Sequence, residues 1–122
     1  MAGFTQAYSQ TLLDTAFPTS GAGDYIAYSS NGSSETGSLA RTAVGATGWA
    51  AATAAQPSVK ANNGVLTTAA ASGAVTLTHF AVFSASSGGT QKTDWQALTA
   101  SKSLAIGETG QWAIGALAVT LD

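Results

Sequence analysis

The chain has no cysteine and only two prolines, and just 8% of its 122 residues are charged. The absence of cysteine excludes disulfide bonds and thiolate metal sites. Because the few charges are scattered and the net charge is −2, no basic patch follows a phosphate backbone, and we expect no nucleic-acid partner. No apolar run approaches the ~20 residues of a membrane span, so we expect no membrane partner either.

A secretory signal is also missing, because the opening stretch MAGFTQAYSQTLLDTAF has no basic start and no unbroken apolar core. Alanine, threonine, serine and glycine together make up more than half of the chain. Such charge-poor compositions are typical of β proteins that work outside cells. A virus particle reconciles these facts, since its proteins are made in the host cytoplasm and released by lysis. We therefore expect a virion protein whose surface is partly covered by neighbouring subunits.

The length predicts one domain, 1–122, in which residues 1–18 form an N-terminal helix and its connection. Phe4, Tyr8 and Leu12 recur every four residues and predict a helix over 4–16 with a narrow apolar stripe. Pro18 ends this helix, because the residue before a proline avoids helical geometry.

From residue 23 onward the pattern changes to short alternating runs separated by turn signals, which predicts a series of strands. Segment 46–55 is ambiguous, since its alanines favour helix and its glycines do not. Hairpin turns are predicted at Asn31-Gly32 and Asn62-Asn63-Gly64, and a last tight turn at 107–110. The fold class predicted is all-β, an antiparallel β-sandwich or jelly-roll-like barrel with one short N-terminal helix. The predicted strands are 24–30, 38–44, 58–61, 64–71, 74–84, 93–99, 102–106 and 111–121.

The lone histidine, His79, lies in the strongest predicted strand, on the face shared by Leu77, Ala81 and Phe83. General acid–base catalysis or metal binding needs partners, and Asp94 across a hairpin is the one carboxylate in view. We predict a hydrogen-bonded packing residue, with a functional histidine as the alternative. Neither a nucleophile elbow nor a phosphate loop is present, and GTQKTD (89–94) lacks the required spacing. No catalytic, metal or cofactor residue is assigned, and no enzymatic activity is expected.

Large side chains must supply most of the hydrophobic stabilisation in a chain this rich in small residues. A sugar-binding platform of Trp49, Trp95 and Trp112 with Tyr25 and Tyr28 is the alternative to a packing role. The basic residues Arg41, Lys60, Lys92 and Lys102 are predicted to be isolated and solvated. The candidate core or interface anchors are Phe4, Tyr8, Leu12, Tyr25, Tyr28, Trp49, His79, Phe80, Phe83, Trp95 and Trp112.

Three segments of the chain carry a resemblance to a known family. They are NNGVLTTAAASGAVTLTHFAVFSASSGG (62–89), WQALT (95–99) and IGETGQWAIGALAVTLD (106–122), with a weaker likeness in LARTAV (39–44) and the N-terminal helix. In these segments the chain resembles small bacteriophage virion proteins described as tail-fibre-like, minor structural or head-decoration proteins. It departs from them in a shorter connection over 29–38 and in its alanine-rich stretch at 50–55.

The resemblance implies a non-enzymatic structural protein of a phage particle. The leading expectation is a capsid decoration or cement protein that binds the major capsid protein. The alternative is a minor tail or tail-fibre component that binds tail proteins, with a host-surface or glycan-binding role. The resemblance also implies a homo-oligomer, for which a trimer is the common form, and no cofactor. An enzyme is the third reading, and it would depend on His79.

Overall fold

The computed structural model describes residues 5–19, 23–45, 48–55 and 57–121. It confirms the predicted all-β class, with antiparallel sheets, a sandwich-like arrangement and one short N-terminal helix. The elements are α1 (Gln6–Ala16), β1 (Tyr25–Ser29), β2 (Thr42–Ala43), β3 (Ser58–Ala61), β4 (Leu66–Thr67), β5 (Val75–Phe83), β6 (Gln96–Leu104), β7 (Gln111–Trp112) and β8 (Ala118–Leu121).

The largest sheet has the strand order β2-β1-β5-β6, and two further pairs are formed by β3 with β8 and by β4 with β7. Every pairing is antiparallel. The inner face of the four-stranded sheet contributes Tyr28 and Phe80, which lie opposite each other in register. Tyr28 stacks on Trp112 of β7 with ring centroids 6.1 Å apart. This contact joins the four-stranded sheet to the β4–β7 pair across the core.

Helix α1 begins after Thr5, whose side-chain oxygen accepts a hydrogen bond from the Tyr8 amide at 3.3 Å. It ends where the Phe17 amide donates to the Leu13 carbonyl, one residue before Pro18, as predicted. The predicted stripe is wrong in its rotation, because α1 buries Ser9 and Leu13 while Tyr8 is 54% exposed. Phe17, just past the helix, extends the buried side and meets Trp49 edge-on at 5.6 Å. The predicted start at Phe4 lies outside the described residues.

Neither predicted tight hairpin forms. Strand β1 pairs with β2, which begins only at Thr42, so residues 30–41 make a long loop. Strands β3 and β4 pair with β8 and β7, not with each other. The reason is the buried Asn62, whose amide nitrogen donates to the Gly64 and Ala113 carbonyls and whose oxygen accepts from the Leu117 amide. Asn62 therefore holds a segment distant in sequence instead of closing a two-residue turn.

Strand boundaries differ from the predictions around β5 and β6. The two runs at 93–99 and 102–106 form one strand, β6, whose register against β5 shifts between Leu77 and His79. The predicted strand 111–121 divides into β7 and β8 around Gly115, which has a φ of 83°. Within 48–55 the chain makes one isolated bridge, Trp49 with Asn62. The helix formed by the described residues, α1, lacks the length and the apolar character needed to cross a membrane.

Candidate functional site

A groove of about 520 Å³ lies between the second half of α1, strand β8 and the start of β6. The side formed by the helix is apolar, and the side formed by the residues before and in β6 is polar. This volume falls in the range of about 300–1,000 Å³ that is usual for ligand sites. The groove is lined by Leu12, Leu13, Ala16 and Phe17 from the helix end, Lys92, Thr93, Asp94 and Gln96 before and in β6, and Val119 and Thr120 from β8.

Strand alternation places two polar side chains on the groove. Asp94 and Gln96 line it, whereas Trp95 between them packs on Phe83 with ring centroids 6.1 Å apart. Asp94 is exposed, and its carboxylate makes no hydrogen bond or ion pair with any residue that the structure describes. The groove therefore holds a negative charge that no described residue pairs with, beside apolar side chains.

Lys92, on the same groove, is already neutralised. Its ammonium lies 2.5 Å from Oδ1 of the buried Asp24 and donates to the Ala16 carbonyl at 2.8 Å. The second Asp24 oxygen accepts from the Trp49 indole N–H at 2.9 Å. Lys92 thus satisfies a carbonyl at the carboxyl end of α1, where a cation is favoured, and fixes that end against the sheet.

A second ion pair holds the last turn of α1. Lys60 on β3 is fully buried, and its ammonium lies 2.5 Å from Oδ1 of Asp14 on the helix. The same oxygen accepts from the Ala52 amide at 2.9 Å. The hydrogen bond from Lys60, followed by that from Ala52, lowers the pKa of Asp14 below its usual value of 3.8. Asp14 is therefore ionised at neutral pH and keeps one wall of the groove in place.

The two remaining bases also have partners. Arg41 donates two hydrogen bonds to Glu35, at 2.9 and 2.8 Å, and one each to the carbonyls of Ala85 and Gly88. Its guanidinium lies 3.9 Å above the centre of the Phe83 ring.

Lys102 donates to the Gln111 carbonyl and lies 4.9 Å from the Trp112 ring centre. The prediction that Arg41, Lys60, Lys92 and Lys102 are isolated and solvated is therefore wrong. The partners of Lys60 and Lys92 are distant in sequence, so no local pattern reveals them.

His79 lies half-buried on the outer face of the four-stranded sheet, opposite Ser29. Its Nδ1 hydrogen-bonds the Thr78 hydroxyl at 2.7 Å, and its ring packs beneath Gly32. No hydrogen bond or ion pair joins it to Asp94, although the structure describes both side chains. Among the described residues no group of three or more His, Asp or Glu side chains is placed to hold a metal ion.

The predicted anchors fall into three environments. Buried ones lie in the core between the sheets and beside α1, half-buried ones lie on the groove or the outer sheet face, and Phe4 is outside the described residues. An anchoring role in an interface remains a prediction for the accessible ones. The buried set is Tyr28, Trp49, Phe80 and Trp112; the half-buried set is Leu12, Tyr25, His79, Phe83 and Trp95; Tyr8 is exposed.

The alternative sugar platform is wrong, because three of its five rings are in the core. The indole N–H of Trp112 donates to the Tyr28 hydroxyl at 3.1 Å, and that hydroxyl also bonds Thr42 at 2.6 Å. Burial raises the pKa of Tyr28 above its usual 10.0. Trp49 is similarly engaged with Asp24. Aromatic residues that satisfy their polar atoms inside the fold cannot present a ring face to a sugar.

Comparison with protein families places the chain in a class, the structural proteins of bacteriophage particles. The matching family model is described as Podophage GP4 fiber I protein gp80, and it covers residues 5–120. Because the match spans nearly the whole chain, the chain belongs to this family and is a virion component. A search of curated proteins finds no match.

Proposed function

We propose that the chain is a non-enzymatic subunit of a phage fibre that assembles with other proteins of the virion. The observation that carries this proposal is the fibre family match over 5–120. Of the two readings drawn from the sequence, this description favours the tail-fibre component over the capsid decoration protein.

The surface supports assembly by contact area. Val65, Ile106 and Ile114 are 57%, 73% and 64% exposed, and the four basic side chains are engaged within the fold. Accessible apolar side chains with little surrounding charge favour packing against protein neighbours over long-range attraction to charged ligands. Repeated subunits in a fibre add avidity, so each contact can be weak. Homo-oligomerisation, with a trimer as the expected form, belongs to this proposal.

Location in the particle tests the function. Antibodies raised against the purified chain should label fibres in electron micrographs, and quantitative mass spectrometry of purified particles should count tens of copies. Label spread over the capsid with hundreds of copies would favour decoration instead. A particle without the chain would contradict both readings.

Oligomeric state and activity are checked on the purified protein. Sedimentation analysis should show a defined oligomer, and a stable monomer at high concentration would count against the assembly proposal. Hydrolase assays on host-surface polysaccharides should give no turnover. Turnover that disappears in His79→Ala would restore the enzyme reading.

A further inference from the structure

We propose that the groove between α1, β8 and the start of β6 binds a segment of another virion protein, one that presents a lysine or arginine next to an apolar side chain. This inference rests on the proposed function, because it assumes that the chain assembles with other proteins of the particle. It adds the position of the contact and the chemistry of the partner.

The apolar side of the groove accepts an apolar side chain. Leu12, on the second half of α1, is half-buried and lines the groove beside Leu13. Leu13 and Val119 of β8 also line the groove but are only 3% and 5% exposed, so Leu12 and the exposed Ala16 supply most of its accessible apolar surface. An aliphatic group placed here removes apolar surface from water on both partners, which stabilises the complex without a directional requirement.

The polar side defines the charge of the occupant. Asp94 is the exposed carboxylate of the groove and has no partner among the described residues. The nearby Lys92 is compensated by Asp24 and the Ala16 carbonyl, so it does not offset Asp94. The electrostatic complement of this site is a cation, and a lysine or arginine side chain lays its aliphatic stem on apolar surface while its charged end meets the carboxylate.

A second copy of the chain is a poor source of this cation. The sequence holds four lysine and arginine residues, and each is already bound within the fold. Releasing the buried Lys60 would strand Asp14, and releasing Arg41 would break four hydrogen bonds. Lys102 has no carboxylate partner among the described residues, but its ammonium already donates to the Gln111 carbonyl and lies over Trp112, so a basic group from a different protein fits the site better than one from a second copy.

A glycan fits the groove less well than a peptide. Sugar recognition uses accessible aromatic faces, but Phe17, the aromatic residue lining the groove, is only 4% exposed. Trp95, next to Asp94, packs on Phe83 instead. The groove offers aliphatic side chains and one free carboxylate, which match a basic, partly apolar peptide.

The experiment measures binding of the full chain to overlapping synthetic peptides that cover the other virion proteins of the same phage. Peptides that bind are expected to share a lysine or arginine beside an apolar residue. Asp94→Asn should weaken their binding roughly fivefold and flatten its salt dependence, as expected for a partly exposed ion pair. Leu12→Ala should weaken binding by a similar factor with the salt dependence unchanged.

Two matched variants serve as controls. Glu108→Gln removes one exposed negative charge outside the groove while keeping the oxygen that accepts from the Ala105 amide. Leu98→Ala shortens another half-buried leucine, one that does not line the groove. Both should bind the peptides like the unaltered chain, and Asp94→Glu should retain most of the affinity. Thermal unfolding of each variant confirms that the fold is intact.

Several outcomes overturn the inference. These are the absence of any bound peptide, bound peptides without a basic residue, or equal binding by Asp94→Asn and the unaltered chain. Glycan-array binding that Asp94→Asn abolishes would replace the peptide with a sugar, and cross-links from position 94 to a second copy would replace it with self-assembly. Labelling and copy counting of particles test the fibre proposal separately. A chain that is found in fibres but binds no peptide would contradict only the proposal that the groove binds a peptide.

Discussion

At the scale of single residues, the two side chains of the Lys60–Asp14 ion pair differ in their exposure to solvent. The lysine side chain is 0% exposed, whereas the aspartate side chain is 41% exposed. Removing the aspartate leaves a buried cation without compensation, while removing the lysine leaves a carboxylate that water can reach. The two halves of the same contact should therefore differ in their effect on stability.

Asp14→Asn is expected to lower the free energy of unfolding by about 2–3 kcal/mol, because Lys60 loses its counter-charge in a buried position. Lys60→Met should lower it by less than about 1 kcal/mol, since a similar apolar side chain fills the site and Asp14 stays hydrated. Urea denaturation of both variants at pH 7 measures the difference. Equal losses would show that the pair acts symmetrically and that burial of Lys60 has no energetic consequence.

Acid should remove the contribution of this pair. The pKa of Asp14 is lowered in the folded state by its hydrogen bonds from Lys60 and Ala52. A carboxylate with a lowered folded pKa stabilises the protein above its unfolded pKa, near 3.8, and that stabilisation is lost as pH falls through the folded value. The loss of stability between pH 5 and pH 2.5, which lie roughly one unit above and below the unfolded pKa of 3.8, should be smaller in Asp14→Asn than in the unaltered chain.

Charge pairing is the part of the site that sequence patterns could not predict. The pattern identified Leu12 as a candidate core or interface anchor, and it lines the groove. It did not place Lys92 or Asp94 at a binding groove, because Lys92 was predicted to be a solvated base and Asp94 was considered only as a partner for His79 or as part of a phosphate loop. Lys92 bonds Asp24 and Ala16, 68 and 76 residues away, so its role depends on the tertiary fold and leaves no local signature.

At the scale of elements, Asn31-Gly32 does form a turn, but this turn does not close a hairpin between neighbouring strands. Asn31 accepts hydrogen bonds from the amides of Ser33 and Ser34, and the Gly32 amide donates to the Ser29 hydroxyl. These bonds form a local turn that folds the loop 30–41 back over the sheet. The turn was predictable, but its strand partner was not, because strand pairing depends on contacts far along the chain.

Gly32 is the point where this loop touches the sheet. Its φ is +75°, and a Cβ atom here would lie 2.9 Å from Cε1 of His79. Gly107 has a similar φ of +84° with nothing within 4 Å of a Cβ atom. We expect Gly107→Ala to destabilise by about 1 kcal/mol from backbone strain alone, and Gly32→Ala to destabilise by about 1–2 kcal/mol more.

The double variant Gly32→Ala/His79→Ala isolates the loss of stability that comes from the clash between the new methyl group and the His79 ring. If the added loss comes from the histidine ring, the effect of Gly32→Ala should fall to that of Gly107→Ala when His79 is already alanine. Chemical denaturation of the single and double variants provides this cycle. An unchanged Gly32 effect in the His79→Ala background would mean that the ring does not limit the approach of the loop.

At the scale of the whole molecule, two layers meet through a few large side chains. Tyr28, Trp112, Leu77 and Leu117 are buried in a core that also holds Trp49, Phe80 and Phe17. The all-β class was predictable because alternation and turn residues recur along most of the chain. The layering was not, since the short pairs β3–β8 and β4–β7 depend on Asn62 and on the division of 111–121 around Gly115.

Trp112 should contribute more to stability than Trp95, although both belong to the same residue type. Trp112 is 6% exposed, stacks on Tyr28, donates to its hydroxyl and lies under Lys102. Trp112→Ala should lower the free energy of unfolding by about 3–5 kcal/mol, because it opens a cavity between the layers and leaves Tyr28 with one partner fewer. Trp95 is half-buried on the outer face against Phe83, so Trp95→Ala should lower it by only about 1–2 kcal/mol. Urea denaturation compares the two variants, and a larger loss in Trp95→Ala would place the main stabilising contact on the outer face instead of between the layers.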